Sequence, residues 1–314
     1  MAEKKTLKGA WEVLKKSASG FSDDKVPKMS ASLAYCTIFS FAPLLIVIIY
    51  VCSIFFGREA VEGSIFSQIQ NLVGKDTAAQ VQQIIKNAAI SGTGHTAIII
   101  GVITLIIGAT SIFAEIQDSI NTIWSLKAKP NMGFKNIIKN RLLSFGVIGS
   151  LGFLLLVSLG VSALVEGIGT QLNHLLPSFS IIILYLLNVL IAFGITTLLF
   201  AVIFKVLPDA KIRWNDVWIG SLVTALLFMI GKFGIALYIS KSKIITSYGT
   251  AGALVIMMIW IYYTAIILYF GAEFSKSWAI KFRNGIEPSS YAVVVDVKET
   301  EKKEAIVLED NKKV

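Results

Sequence analysis

Cysteine and histidine are scarce in this chain, and their scarcity excludes two kinds of site. The 314 residues include two cysteines and two histidines. Cys36 and Cys52 lie in one apolar run, so we expect small packing residues rather than a disulfide framework. His95 and His174 supply only two of the four ligands that a zinc site needs, and the cysteines lie elsewhere. We predict no metal site and no cofactor.

Charged side chains are also under-represented. They make up 16% of the chain, against about 25% in soluble domains. The charges crowd into the ends and a few short stretches, and they leave long apolar runs uncharged. Buried strands of soluble proteins run for about 4–8 residues, so runs of about 20 indicate a polytopic membrane protein.

The common nucleotide-binding and nucleophile motifs are missing. The sequence has no G-x-x-x-x-G-K-[ST] loop and no G-x-G-x-x-G, which argues against an ATP-driven pump in one chain. It has no G-x-S-x-G turn of the kind that presents a nucleophilic serine. No catalytic residue is assigned.

Six apolar segments are long enough to cross a bilayer, which takes about 20 helical residues. The predicted fold is therefore all-α, with a six-span membrane domain over residues 31–285. The spans are placed near Ser32–Phe56, Ala97–Ala114, Leu142–Val165, Phe179–Phe204, Val217–Ile239 and Ala251–Ala272.

The positions of lysine and arginine orient these spans. Residues 1–30 carry seven lysine or arginine residues. The five connections between the spans carry three, five, none, three and two of them in chain order, and the tail carries eight. Because cytoplasmic connections are enriched in these residues, we predict both termini in the cytoplasm. Topology thus accounts for the net charge of +9, and no nucleic-acid partner is expected. Four tryptophans fall near predicted inner ends, namely Trp124, Trp214, Trp218 and Trp278.

Three segments are predicted to lie outside the bilayer. In residues 1–30, Leu7, Trp11, Leu14, Ala18 and Phe21 recur at helical spacing among lysines, which predicts an amphipathic helix. It lies either on the inner membrane surface or on the protein's own inner face. The outer connection 57–95 carries two short amphipathic patterns, the second formed by Ala78, Val81, Ile85 and Ala88. The tail 286–314 is charged and weakly patterned, so a disordered cytoplasmic end is expected.

Several short patterns resemble one known family. The first span, "MSASLAYCTIFSFAPLLIVI", is small and mildly polar before Pro43, so it should face protein. The other patterns are Pro208-Asp209, the spacing of Trp214, Asp216 and Gly220, Gly231-Lys232, Tyr248-Gly249 and Gly271-Ala272-Glu273. Over about residues 25–285 the chain resembles the YihY/BrkB family of bacterial inner-membrane proteins.

This resemblance implies six spans in the bacterial inner membrane, without one settled activity. Many members carry the label ribonuclease BN, but RNA cleavage needs an aqueous acid–base or metal site, and no histidine is predicted on the cytoplasmic face. Other associations, with serum resistance and with lipid export, favour envelope or transport roles. We therefore expect membrane lipids as partners.

One set of polar residues is predicted in the outer half of the membrane. Lys232 interrupts "LLFMIGKFGIALY" in span five, where a lysine near the bilayer centre costs about 2.5–3.5 kcal/mol. We hypothesise that a polar cavity places it opposite Glu166 or the anionic group of a substrate. The alternative is that Lys232 extends to the outer interface or forms a structural ion pair. The candidate cavity residues are Lys232, Asn188, Ser158, Ser162 and Glu166.

A second polar layer is predicted near the inner face. It contains Tyr35, Ser40, Glu115, Asp118, Lys205, Asp209, Asp216 and Glu273. It is either a structural ion-pair network or an inner gate with a proton-coupling carboxylate, for which Glu115 and Glu273 are the candidates. Pro43, Gly231, Gly249 and Gly252 are predicted to kink helices or to let them pack closely, within one chain or in an oligomer.

These residues favour a protein that moves an anionic or amphipathic substrate, such as a lipid or a small molecule, across the membrane. Two polar layers around one bundle are what alternating access needs, although no internal repeat is visible. The alternative is an envelope scaffold or assembly protein without transport, and a ribonuclease is the third interpretation. Flux in reconstituted vesicles separates the first two, because a scaffold gives none.

Overall fold

The computed structural model of the chain describes residues 7–40, 62–63, 66–67, 70, 75, 78–83, 95–129, 177–241, 251–282, 285–289 and 292–295. Several predictions lie outside these residues. They concern the third span (142–165), the tail beyond residue 295, Pro43, Ser158, Ser162, Glu166, His174 and Gly249.

Helices make up most of the described chain, as its composition predicts. They are α1 (Leu7–Asp23), α2 (26–40), α3 (His95–Ile123), α4 (Pro177–Val206), α5 (Trp214–Lys241) and α6 (Gly252–Phe282), with a short helical segment at 78–83. Within the described ranges, three stretches are long and apolar enough to cross a membrane: Leu186–Val206, Trp214–Tyr238 and Gly252–Phe282. They correspond to the fourth, fifth and sixth predicted spans.

The turn between α4 and α5 follows from local chemistry. α4 ends two residues before Pro208, because proline has no N–H for the helix ladder and disfavours helical geometry in the preceding residue. α5 begins at Trp214 and carries Asp216 in its first turn, where a carboxylate interacts favourably with the helix dipole. The two helices are thereby folded back against each other.

α5 packs against both α4 and α6. Its contact with α6 depends on small residues: Gly220 lies against Ser275, and Gly271 lies against Thr224 and Phe204. A Cβ added at Gly220 would lie 2.9 Å from the Cβ of Ser275. Because glycine has no side chain, Gly220 and Gly271 therefore set how closely α5 and α6 approach.

α3 completes the core beside α6. Ile120, Ile123 and Trp124 are buried in one cluster with Phe204 and Tyr269. The Trp124 indole N–H donates to the carbonyl of Ala272 at 3.1 Å. The backbone of α6 thus supplies the acceptor for the indole N–H of Trp124, although the sequence places this residue near an inner end of the spans.

One end of the bundle carries two short antiparallel strand pairs. β1 (Leu126–Ala128) follows α3 and pairs with β4 (Ala292–Val294), while β2 (Ala210–Lys211) follows α4 and pairs with β3 (Glu287–Pro288). The pairing brings the ends of α3, α4 and α6 together, and we call this end of the bundle the strand end. Disorder predicted for the whole tail from residue 286 was wrong for these strands, since β1 and β2 supply hydrogen-bonding partners.

α1 also lies at the strand end, packed along the last turns of α6. Val13 joins a buried cluster with Phe274, Trp278 and Phe282, and Ser17 is buried beside it. Trp11, by contrast, is 67% exposed and Leu14 is 38% exposed. The helix is therefore docked on the protein. Of its predicted apolar face, Phe21 packs against the core with its ring 6.3 Å from that of Phe270, whereas Trp11 and Leu14 stay exposed.

The opposite end of α6 meets part of the connection between α2 and α3. In the segment 78–83, Ala78 and Val81 are buried, as their shared helical face predicts. The Gln80 side-chain oxygen accepts a hydrogen bond of 3.1 Å from the backbone N–H of Ala253. This bond satisfies one of the donors left free in the first turn of α6, which begins at the buried Gly252.

Candidate functional site

The α4–α5 seam, where these two helices face each other, is closed near the strand end. On α4 the residues facing α5 follow each other at three- and four-residue spacing, and Thr197, Phe200 and Phe204 are buried. On α5, Val217, Ser221 and Ala225 are buried. The rings of Phe200 and Phe228 are 6.0 Å apart, and Phe228 is 6.2 Å from the Trp260 ring of α6. We call Phe200, Phe228 and Trp260 the aromatic cluster.

Beyond the aromatic cluster the stripes of α4 and α5 include exposed residues. The α4 stripe continues through Phe193, which is half-buried, to Leu190 and Leu186, which are both 58% exposed. On α5 the stripe of Ser221, Ala225 and Phe228 continues to Lys232, which is exposed. Ile235, three residues further along the α5 stripe, is buried again. Exposed and buried residues thus alternate along the stripes in this half.

Lys232 is the exposed residue of the α5 stripe just beyond the aromatic cluster. It is four residues beyond Phe228 along α5, about 6 Å at 1.5 Å per residue. Beside it, Gly231 leaves the space that the Tyr263 ring of α6 fills. The ammonium group is carried on a helix whose neighbouring exposed side chains are apolar, among them Ile230 and Phe233.

The structure does not bring Asn188 to the level of Lys232. The Phe200–Phe228 contact sets the register of the two antiparallel helices, and Asn188 lies twelve residues beyond Phe200, about 18 Å. The prediction that both lie at one depth was wrong, because counting from the helix ends ignores this register. Asn188 is exposed nearer the far end.

Asp209 is the centre of a buried polar cluster at the strand end. Its carboxylate accepts hydrogen bonds from the Gln117 amide at 3.0 Å and from the Asn121 amide at 2.9 Å. Its own backbone N–H donates to the Asn121 side-chain oxygen at 2.9 Å. We call these three residues the Asp209 cluster, and it fastens the α4–α5 turn to α3.

The other members of the predicted inner layer do not form one network. Lys205 donates to the carbonyl of Ile212, and its ammonium nitrogen lies 5.8 Å from the ring centre of Trp214. Ser40 is buried against Gly108 of α3. Tyr35 and Asp118 are exposed, and Glu115 is half-buried. Asp216 is buried in the first turn of α5.

Glu273 forms a separate buried site with α1. Its carboxyl group faces Asp24 and lies near Lys276, whose ammonium nitrogen is 3.4 Å from an Asp24 oxygen. A Cβ added at Gly20 of α1 would lie 2.6 Å from the Glu273 Oε2 atom. α1 thus covers the carboxyl group directly.

Sequence reasoning missed Gln117, Asn121, Asp24 and Gly20. The signal for the first pair was their four-residue spacing, which places them on one face of a helix that continues past Ala114. For Asp24 and Gly20 no comparable signal exists, since their roles depend on how α1 docks. Within the described residues, no group of three or more histidine, cysteine, aspartate or glutamate side chains could hold a metal ion.

Comparison with known proteins identifies relatives over most of the chain. A UPF0761 membrane protein of Ralstonia nicotianae is 25% identical over 263 residues, which cover 82% of this chain and 56% of the relative. UPF0761 membrane proteins of Alteromonas mediterranea and Tolumonas auensis are 24% and 29% identical over 271 and 262 residues. The matches cover 83% and 81% of this chain, and 86% and 81% of those relatives. No solved structure matches the chain.

The chain spans little more than half of the Ralstonia relative but most of the other two. A family model described as virulence factor BrkB matches residues 17–290. That range takes in the end of α1, all of α2 to α6 and the strands β1 to β3. The resemblance seen in the short sequence patterns is thereby confirmed, and the chain belongs to the virulence factor BrkB family of membrane proteins.

Proposed function

We propose that this protein moves an anionic, amphipathic lipid between the leaflets of the bacterial inner membrane. The observation that carries the proposal is the exposed Lys232, which lies just beyond the aromatic cluster on a helix whose neighbouring exposed side chains are apolar. The exposed surface around Lys232 combines one cation with apolar side chains such as Ile230 and Phe233. A lipid with an anionic headgroup and acyl chains matches both features.

The ammonium group of Lys232 attracts an anionic headgroup. An unpaired ammonium within the membrane costs about 2.5–3.5 kcal/mol, and an anionic partner offsets part of that cost. The acyl chains meanwhile stay beside apolar side chains in the bilayer. The aromatic cluster closes the seam below this level, and the Asp209 cluster fixes the turn beneath it. Transport then requires the lower half of the seam to open in turn.

The proposed topology is six spans with both termini in the cytoplasm. It is supported by the strand end, which gathers α1 and the ends of α3, α4 and α6 on one side. These are the segments that the lysine and arginine pattern assigns to the cytoplasm. The proposal assigns the chain no catalytic reaction, no cofactor and no nucleic-acid partner.

Flux of labelled lipid in vesicles tests the proposed function. Lys232→Met is expected to lower the rate for an anionic lipid at least about tenfold, the effect of losing roughly 1.4 kcal/mol of binding or transition-state stabilisation. The rate for a zwitterionic lipid should change much less. Lys241→Gln, at the end of the same helix, is the matched control and should retain the wild-type rate.

Two outcomes contradict the proposal. Vesicles with the wild-type protein that show no more flux than empty vesicles would favour the scaffold interpretation. Equal losses for anionic and zwitterionic lipids in Lys232→Met would mean that Lys232 is structural. Lys232→Arg keeps the charge and should keep most of the rate for the anionic lipid, which separates charge from packing.

We also propose that the exposed face of α1 rests on the inner leaflet. Trp11 and Leu14 are exposed there while the opposite face docks on α6, and Lys8 and Lys15 are exposed near them. Such a combination of apolar and basic side chains binds anionic bilayer surfaces.

A polarity-sensitive dye tests this contact in a background without Cys36 and Cys52. Attached at Leu14→Cys, it should shift its emission towards the blue when the protein is moved from detergent into anionic vesicles, because the residue enters the interface. The control position, Lys16→Cys, should remain in water. Indistinguishable spectra at the two positions would reject the membrane contact.

A further inference from the structure

Glu273 is a buried carboxyl group that receives no hydrogen bond through one of its oxygens. Glu273 is 1% exposed, the lowest value of any described acidic residue. Its Oε1 atom is buried and has no hydrogen-bond donor within the described part of the chain. A buried carboxylate normally gains several donors, because otherwise its desolvation is uncompensated. The site therefore calls for a ligand that supplies the missing bond.

The groups around Glu273 define that ligand. Asp24, which directly follows α1, lies within hydrogen-bonding reach, Asp23 adds a further negative charge, and Lys276 supplies the positive charge. Lys276 is itself paired with Asp24 at 3.4 Å. Two carboxyl groups can hydrogen-bond to each other only if one of them carries a proton. We call Glu273 and Asp24 the acid pair.

The fit of α1 over the acid pair excludes a larger ligand on that side. Gly20 approaches so closely that a Cβ there would lie 2.6 Å from Glu273 Oε2. α1 ends at Asp23, and the backbone N–H of the next residue, Asp24, donates to the Gly20 carbonyl at 2.8 Å. The last turn of α1 and the residue that follows it thus carry the surface that covers Glu273 and the carboxyl group that faces it.

We propose that the acid pair is a proton-binding site that controls whether α1 stays docked on α6. With one shared proton, the two carboxyl groups hold each other and Lys276 balances the remaining negative charge. When the proton leaves to water, two carboxylates face each other with one lysine between them, and their repulsion at low dielectric favours release of α1. Docking is therefore stable at low pH and weakens as the pH rises. Linkage to one proton limits the change to about tenfold in the docking equilibrium per pH unit.

This inference goes beyond lipid movement and does not depend on it, because its readout is the position of α1. Spin labels at Lys16→Cys on α1 and Ile280→Cys on α6, in a background without Cys36 and Cys52, report the distance between the helices. The full-length protein is measured in vesicles from about pH 5 to about pH 10. A single short distance is expected at low pH, with a longer and broader population growing as the pH rises.

Three variants decide the origin of that change. Glu273→Gln keeps the shape and carries no titrating proton, so α1 should stay docked at every pH. Asp24→Asn removes the facing charge and should also abolish the pH response. Asp118→Asn changes an exposed carboxylate on α3 and should leave the response intact. A wild-type distance that does not change with pH, or an unaltered response in Glu273→Gln, would overturn the proposal.

Discussion

Gly220→Ala is expected to destabilise the protein by about 1–3 kcal/mol, the range for forcing extra atoms into a well-packed contact. The new methyl group would meet the Ser275 hydroxyl, with the Ser275 Cβ at 2.9 Å and its backbone Cα at 3.4 Å. Rotating a side chain cannot relieve contacts with Cβ and Cα, so α6 itself must move. Thermal unfolding of the purified protein in detergent measures the loss.

Gly234→Ala is the matched control, because Gly234 lies on the same helix and an added Cβ there meets nothing within 4 Å. Alanine is favoured over glycine in helices by about 1 kcal/mol, so this variant should be as stable as the wild type or more so. Ser275→Gly removes the atoms that the Gly220→Ala methyl meets, and it should recover part of the loss. If Gly220→Ala and Gly234→Ala behave alike, the contact does not set the α5–α6 distance.

Asp209→Ala is expected to cost about 2–4 kcal/mol. It leaves the amide donors of Gln117 and Asn121 buried without an acceptor, and hydrogen bonds to charged groups each contribute about 1.5–3 kcal/mol. The turn between α4 and α5 should then loosen from α3. Thermal unfolding reports the stability, and trypsin cleavage after Lys211 or Arg213 reports exposure of the turn.

Asp118→Ala is the control for Asp209→Ala, since it removes an exposed aspartate from α3 one residue after Gln117. It should change stability by less than about 0.5 kcal/mol, as expected for surface substitutions. Similar losses in the two variants, or unchanged cleavage of the turn in Asp209→Ala, would show that the Asp209 cluster does not fasten it.

Hydropathy predicted the helices better than it predicted their contacts. The fourth to sixth spans appear in the structure as α4, α5 and α6 because runs of about 20 mostly apolar residues leave few alternatives. The α3 helix continues to Ile123, beyond the predicted end at Ala114, because Glu115 and Asp118 interrupt the apolar run without breaking the helix. Hydropathy gives depth in the membrane, whereas helix ends depend on backbone chemistry.

In the candidate sites, too, the sequence predicted single residues better than it predicted their contacts. Asp209 and Glu273 were predicted at the inner level, but their partners Asn121 and Asp24 were not, because sequence depth does not give rotation or docking. Residue counts also placed Asn188 beside Lys232, whereas the ring contact between Phe200 and Phe228 sets a different register. The sequence can identify polar residues in an apolar setting, while the helix register decides which of them meet.

The sequence left open whether α1 lies on the membrane surface or on the protein, and the structure docks it on α6. Large apolar side chains at helical spacing, such as Trp11 and Leu14, normally indicate the buried face of a soluble helix. Here Val13, Ser17 and Gly20 face α6, because small side chains allow close approach of two helices. Gly220 and Gly271 allow the same close approach of two helices in the α5–α6 contact.

The strand pairs also constrain the order of events during synthesis. Leu126 pairs with Val294 and Lys211 with Glu287. The strands β1 and β2, which are synthesised early, can therefore pair only after β3 and β4 have left the ribosome. Docking of α1 is also delayed, because its docking site is the last part of α6. Spans can therefore enter the membrane one by one, but the strand end closes only after translation has passed residue 294, and a chain shortened before β3 would keep its membrane helices with β1, β2 and their edges unpaired.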